Sequence, residues 1–367
     1  MKKTLLLALS TLASFYSCTN DPSELKTDNR IIGFSPYSPI TKGTPMNGNA
    51  DFQQQDNRFG VTAYLRGANS TDPPYIGKKT AGEEVIYNGT IWQYTNMQYW
   101  PNKAIDFYAY TPYNLSKFSS TIDVDPTIGL VITPFYVPTD IDEQVDFMYA
   151  TALNTSKPSN NSNVLLNFKH GLSQIAFKAK TGSSKLKAKI GQIELENIHA
   201  SAGFMVSNSG TSLWAVGSTK STYKAKLDHT FININYDPVN YKQISSPNNV
   251  LMLIPQTQST WDPSTEKTKD GTGIKPTTTK PYLKIKCKIF VVNGNKKYYI
   301  IGKNGYSANS WGNVYVPISI DWKEGYKYTY NLEFGAGHDA DGYPISGPII
   351  FTTDIETWQD TSLKPTM

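Results

Sequence analysis

Tyr326-Lys327-Tyr328-Thr329-Tyr330-Asn331-Leu332-Glu333-Phe334 alternates large apolar or aromatic side chains with polar ones. Successive side chains of a strand point to opposite faces, so Tyr326, Tyr328, Tyr330, Leu332 and Phe334 make one continuous apolar face. A helix would scatter the same residues around its circumference. The stretch therefore predicts a half-buried strand. The pattern recurs: Ile105, Phe107 and Ala109 alternate with Asp106, Tyr108 and Tyr110, and Ile193, Leu195 and Asn197 oppose Glu194 and Glu196. Short apolar runs elsewhere are bounded by Gly, Pro, Asn, Ser and Asp, and no long segment carries a 3.6-residue period. The fold class read from the residues is all-β, with an antiparallel two-sheet sandwich in each half of the chain.

The composition supports packed cores. Of 367 residues, 39% are hydrophobic and 13% aromatic, including 24 tyrosines. Charged residues make up 18%, below the roughly 25% of ordinary soluble domains, which excludes charge-driven disorder and a coiled coil. The net charge of +5 comes from 35 basic and 30 acidic residues scattered along the chain. No basic block tracks a phosphate backbone, so nucleic acid is not an expected partner. Among the basic residues only Arg30, Arg58 and Arg66 are arginines, all near the start.

Met1-Lys2-Lys3 followed by the apolar stretch Thr4–Phe15 has the form of an export signal, too short for a stable membrane-spanning helix. Phe15-Tyr16-Ser17-Cys18 resembles a bacterial lipobox, which predicts a signal peptide over 1–17 and lipidation of Cys18. The second cysteine, Cys287, lies among alternating lysines and apolar residues and is expected to face inward on a strand. An acylated Cys18 cannot pair with it, so no disulfide framework is expected, and nothing nearby would activate Cys287 as a nucleophile.

Residues 18–30 read as a polar tether or propeptide, and Ile31-Ile32-Gly33-Phe34 as the first strand. Two polar, flexible stretches follow, at 154–163 and 259–281. The first divides the chain into a domain at 31–160 and another at 161–367; the second reads as a long surface loop within the latter.

Catalytic and metal motifs do not assemble. His170, His199, His229 and His338 show no ligand spacing, and neither a GxSxG elbow nor a Walker loop occurs. Gly335-Ala336-Gly337-His338 reads as a turn. Asp339-Ala340-Asp341-Gly342 has a calcium-loop flavour but lacks the remaining ligands, so it reads as an Asp-Gly turn. The expectation is no enzyme, no cofactor and no metal.

Several segments taken in order resemble the fimbrillin family of Bacteroidales, the subunits of surface fimbriae. They are Trp92-Gln93-Tyr94, Tyr99-Trp100-Pro101 and Asp106-Phe107-Tyr108-Ala109-Tyr110-Thr111-Pro112, then Asp146-Phe147-Met148-Tyr149-Ala150. Next come Leu166-Asn167-Phe168-Lys169-His170-Gly171-Leu172-Ser173-Gln174-Ile175, Leu251-Met252-Leu253-Ile254-Pro255-Gln256 and Tyr328-Thr329-Tyr330-Asn331-Leu332, with Trp358 near the end. The resemblance implies a lipoprotein precursor of two transthyretin-like antiparallel β-sandwich domains. It is carried to the cell surface, anchored in the outer membrane through Cys18, trimmed by a protease, and polymerised when one subunit's strand fills a groove in the next. Other fimbrial subunits and surface receptors are the implied partners. In this chain Arg30–Ile31 is the expected maturation site, and Ile349, Ile350 and Phe351 the candidate donor strand.

A stalk, a tip and an anchor subunit are not distinguished at this stage. The alternative from another functional class is a surface glycan-binding lipoprotein with stacking platforms among Trp92, Trp100, Trp214 and Trp261.

Overall fold

The computed structural model describes residues 30–37, 58–116, 118, 121–246, 250–270, 273–305, 307–335 and 349–357. Among them there is no α-helix, and only two short 3₁₀ turns interrupt the strands. The all-β reading is correct.

The N-terminal strands in chain order are β1 (Phe34–Tyr37), β2 (Arg58–Leu65), β3 (Glu83–Tyr87), β4 (Trp92–Gln93) and β5 (Ile105–Thr111). They are followed by β6 (Ile122–Asp125), β7 (Gly129–Tyr136), β8 (Met148–Thr155), β9 (Val164–Asn167) and β10 (Lys169–His170). Six of these form one sheet in the order β10-β8-β5-β2-β3-β4, while β1 pairs with β9. The six-stranded sheet is buried on both faces. Phe59, Val61, Ala63, Ile105, Phe107, Ala109, Met148 and Ala150 face a first core that also holds Ile32, Phe34, Val164, Leu166 and Phe168. Tyr64, Tyr108, Tyr110 and Tyr149 face the second core.

That second face corrects the half-buried reading of 105–110, where every residue of β5 is buried. Tyrosine tolerates this because its ring is apolar and its hydroxyl can find an acceptor. Tyr64 donates to the Val124 carbonyl at 2.9 Å and Tyr110 to the Ala81 carbonyl at 2.7 Å.

Across the second core the strands are β11 (Ser173–Thr181), β12 (Leu186–His199), β13 (Ser201–Ser207), β14 (Ser212–Val216), β15 (Lys220–Lys224) and β16 (Ile232–Ile234). After these come β17 (Lys242–Gln243), β18 (Leu251–Leu253), β19 (Thr257–Gln258), β20 (Lys267–Asp270) and β21 (Gly273–Pro276). The remainder are β22 (Tyr282–Asn293), β23 (Lys296–Ile301), β24 (Gly312–Pro317), β25 (Ile320–Asp321), β26 (Tyr326–Phe334) and β27 (Ile350–Thr357). One sheet runs β17-β11-β26-β27 with β18 also on β11; another runs β15-β12-β22-β23 with β16 on β12 and β24 on β22. Phe177, Tyr330 and Leu332 from the first meet Ile190, Leu195, Ile285 and Cys287 from the second in one cluster.

A third sheet, β14-β13-β7-β6, joins strands from either side of residue 160. Val164, Leu166 and Phe168, which the sequence division places with the second half, are buried in the first core. The pairing is also not uniformly antiparallel: β1 runs parallel to β9, and β11 parallel to β26. Parallel neighbours need a long connection between them, and in both pairs well over a hundred residues intervene.

At β12 the predicted alternation breaks at Asn197, which sits at φ 61° in a bulge while its amide donates to the Thr278 and Lys280 carbonyls, each at 3.0 Å. Asn is among the few residues that adopt this left-handed conformation readily. The stretch at 259–281 contains an antiparallel strand pair, β20–β21, rather than only a loop. Its base is pinned by buried Trp261, whose indole donates to the Glu266 carbonyl at 2.7 Å.

Candidate functional site

Residues 30–37 lie in a slot of the first core. On one side the Ile32 amide donates to the Gln98 carbonyl at 2.8 Å, and the Trp100 amide donates to the Arg30 carbonyl at 3.1 Å. On the other, the Val164 amide donates to the Gly33 carbonyl and the Phe168 amide to the Tyr37 carbonyl, both at 2.8 Å. The segment therefore runs as an extended strand between β9 and the 98–100 stretch, and alternate residues Ile32, Phe34 and Pro36 turn inward. The Phe34 ring meets Phe59, Tyr94 and Phe107 with centroids 6.0, 5.4 and 5.9 Å away. The Tyr94 hydroxyl closes the floor by donating to the Ile32 carbonyl at 3.0 Å.

Arg30 marks the entrance. Its guanidinium donates to the carbonyls of Pro158 and Asn160, each at 2.7 Å, and to the Asn161 side-chain oxygen at 3.3 Å. The polar stretch read as a linker thus forms a receptor for Arg30. Sequence reasoning missed it because backbone carbonyls leave no signature in residue types. Asn163 was missed for a related reason: its amide lies against Gly33 while donating to the Phe34 carbonyl and the Ser35 hydroxyl at 3.3 and 3.2 Å.

Ile31, on the other side of the expected cleavage bond, is exposed and bridges to Tyr99. A cut between Arg30 and Ile31 leaves β1 in place, because every inward-facing residue of the slot lies after it. Arg58 begins β2 and pairs with Glu84 at 2.8 Å. Arg66 pairs with Asp106 at 3.0 Å.

The C-terminal candidate lies in a different sheet from that slot. Strand β27 pairs antiparallel with β26, Ile350 opposite Glu333 and Phe351 opposite Leu332, and no other described strand flanks it. Phe351 packs on Tyr330 with centroids 5.9 Å apart, and Ile349 also touches the core. Ile350 and Ile355 are exposed, so β27 is an edge strand held chiefly by its backbone ladder. Cys18, Trp358 and the 336–342 turn residues, including His338, lie outside the described residues.

The other candidates separate. Trp100 and Trp261 are buried, while Trp92 and Trp214 are half-buried with rings against Tyr87 and Phe59, and Phe135 and Phe204, respectively. They do not form one exposed stacking surface. His170 is buried against Asp146, His229 is exposed, and His199 is held below its ordinary pKa by burial and by nearby Lys220. Burial pushes the Cys287 thiol up to about 12. Among the described residues no group of three metal-ligating side chains comes together. An open cleft of about 1010 Å³ lies near β15, away from the slot. Its lining includes Asp140, Glu194, Lys224 and the Lys226–Asp142 pair.

The sequence model described as fimbrillin-like matches residues 41–358. The chain belongs to the fimbrillin-like family. No curated protein matches it. Among solved structures, a fimbrial protein from Bacteroides vulgatus is similar at 19% identity and a TM-score of 0.61, over 90% of this chain and 100% of that one. A putative cell adhesion protein from Bacteroides ovatus matches at 16% identity and TM-score 0.47, over 90% and 99%. The tip fimbrial protein Mfa3 from Porphyromonas gingivalis matches at 10% and 0.37, over 89% and 100%. The first of these shares the fold of this fimbrillin-like protein. Family membership supports a fimbrial subunit at the cell surface.

Proposed function

We propose that this fimbrillin-like protein is a structural or adhesive fimbrial subunit that joins its neighbours by strand exchange, after export as a lipoprotein through Cys18. The observation that carries the reading is the state of residues 30–37. They fill a groove of the first core, hydrogen-bonded on both sides, yet reach the rest of the fold only through residues 38–57. Removing such a strand exposes apolar pockets and unpaired backbone groups, which an incoming strand can satisfy by β-augmentation. The contact is head-to-tail and does not close on itself, so repetition gives a filament. Strand β27, held at a sheet edge, is the segment best placed to leave and donate.

In this reading the productive cut lies after Arg58 rather than at Arg30–Ile31. Processing at Arg30–Ile31 shortens the precursor without opening the slot, whereas cleavage after Arg58 releases β1 with it. Arg58 is the first arginine after Tyr37. N-terminal sequencing of protein extracted from assembled surface fibres tests this. Phe59 as the first residue is expected; fibres whose subunits begin at Cys18 or Ile31 would contradict it.

A further inference from the structure

The slot reads its occupant at four positions. Two carbonyls, of Pro158 and Asn160, converge on the Arg30 guanidinium at 2.7 Å, an arrangement that suits a planar fork better than a point charge. Ile32 is wholly buried two residues on. At Gly33 an added Cβ would lie 2.3 Å from the Asn163 side-chain oxygen and 2.9 Å from its Cγ. Asn163 cannot swing aside without giving up its bonds to Phe34 and Ser35. Phe34 then fills the aromatic pocket. The resulting pattern, a cation, any residue, an apolar residue, glycine and an aromatic ring, occurs once in the chain, at 30–34.

The C-terminal strand does not carry it. With Phe351 in the place of Phe34 and the same chain direction, Ile349 falls on the Ile32 position, which suits it. Ile350 then falls on the Gly33 position beneath Asn163, and Gly347 faces the carbonyls that hold Arg30. In the opposite direction Thr352 takes the glycine position and Ile355 the cation position. Either way two carbonyls lose a charged donor and a side chain is forced where none fits.

We propose that this slot selects an extended strand bearing the arginine–apolar–glycine–aromatic pattern, supplied by a different subunit rather than by a second copy of this chain's C-terminal strand. The inference rests on the reading that the slot is vacated during assembly. It makes the acceptor end heterotypic, while β27 remains free to donate elsewhere.

The test uses the full chain with a site-specific protease sequence inserted between Met46 and Asn47, cut while folded. Fluorescent peptide 28–38 is added and its anisotropy followed, with circular dichroism confirming that the fold persists. Peptides carrying Arg30→Ala or Gly33→Val, and peptide 346–358, serve as competitors. The native peptide is expected to enter, each variant to compete at least about fivefold more weakly, and peptide 346–358 not to displace it at saturating native peptide. Variant peptides or 346–358 competing within about twofold of the native sequence would overturn the selectivity while leaving exchange intact. Failure of the native peptide itself to enter the cut, folded protein would overturn strand exchange, and the selectivity with it.

Discussion

Phe34 stands opposite Val164 in parallel register, and the two side chains are 1% and 2% exposed. The pair closes the first core with residues about 130 positions apart in the chain. The core therefore depends on a strand that the rest of the sheet does not hold covalently nearby.

Truncating that strand's anchor is expected to cost much of the domain's stability. Phe34→Ala removes a ring surrounded by Phe59, Tyr94 and Phe107 and should destabilise by about 3–5 kcal/mol. Ser35→Ala, on the half-buried face, should cost far less. Denaturant unfolding followed by tryptophan fluorescence gives both, since Trp100 packs on Phe107 beside the slot. Equal effects from the two variants would contradict the slot's role.

Arg30 is bound by carbonyls rather than a carboxylate, so its contribution should resist salt. Arg30→Ala is expected to lose about 1 kcal/mol, its partial exposure limiting the effect, with Arg30→Lys intermediate. The midpoint difference between wild type and Arg30→Ala should be the same at low and high ionic strength; loss of that difference in salt would mark an ion pair instead.

The buried phenols set an alkaline limit. Burial raises Tyr64, Tyr94, Tyr108 and Tyr282 to about 12, and Tyr110, Tyr149, Tyr223 and Tyr330 still higher. Above the ordinary tyrosine pKa of about 10 the unfolded chain releases protons that the fold retains, so stability is intact below pH ~10 and falls as pH rises toward 12. Thermal midpoints should drop across that interval, with tyrosinate absorbance appearing together with unfolding. Complete tyrosinate absorbance in a protein that stays folded would contradict this limit.

Asp146 and His170 come from two segments that carried the family resemblance, and their side chains meet at 2.8 Å wholly out of solvent. Truncating either residue takes a buried hydrogen-bond partner from the other, so Asp146→Ala or His170→Ala should destabilise by about 1–3 kcal/mol. A double variant costing much less than the sum of the two would show their coupling.

The strands were legible where one face is wet and one dry. In β12, for example, Ile193 and Leu195 are buried while Glu194 between them is not, as their alternation says. The reading was weakest where a sheet is covered twice. At β5, Tyr108 and Tyr110 look like an outer face by type, yet a second core lies against them. Thr329 and Asn331 are likewise buried in β26, with Asn331 donating to Asp354 at 2.7 Å on β27. Long-range pairing left no local trace, so β1 could be read as a strand without its neighbours. Arg30 was singled out as a protease site, but what it touches is made of backbone oxygens.

The central claim is that β1 must leave its slot for the subunit to assemble. Ser35 and Leu165 are register partners on the exposed side of the β1–β9 pair. Neighbouring strands lie about 4.8 Å apart, within the Cα separation a disulfide spans. The Ser35→Cys, Leu165→Cys variant, oxidised, treated with an arginine-specific protease and examined by negative-stain electron microscopy in the presence of partner subunits, locks the strand in place after cutting. No incorporation into fibres is expected until a reductant is added, then incorporation at the wild-type level. Equal incorporation of the oxidised and reduced forms would contradict it.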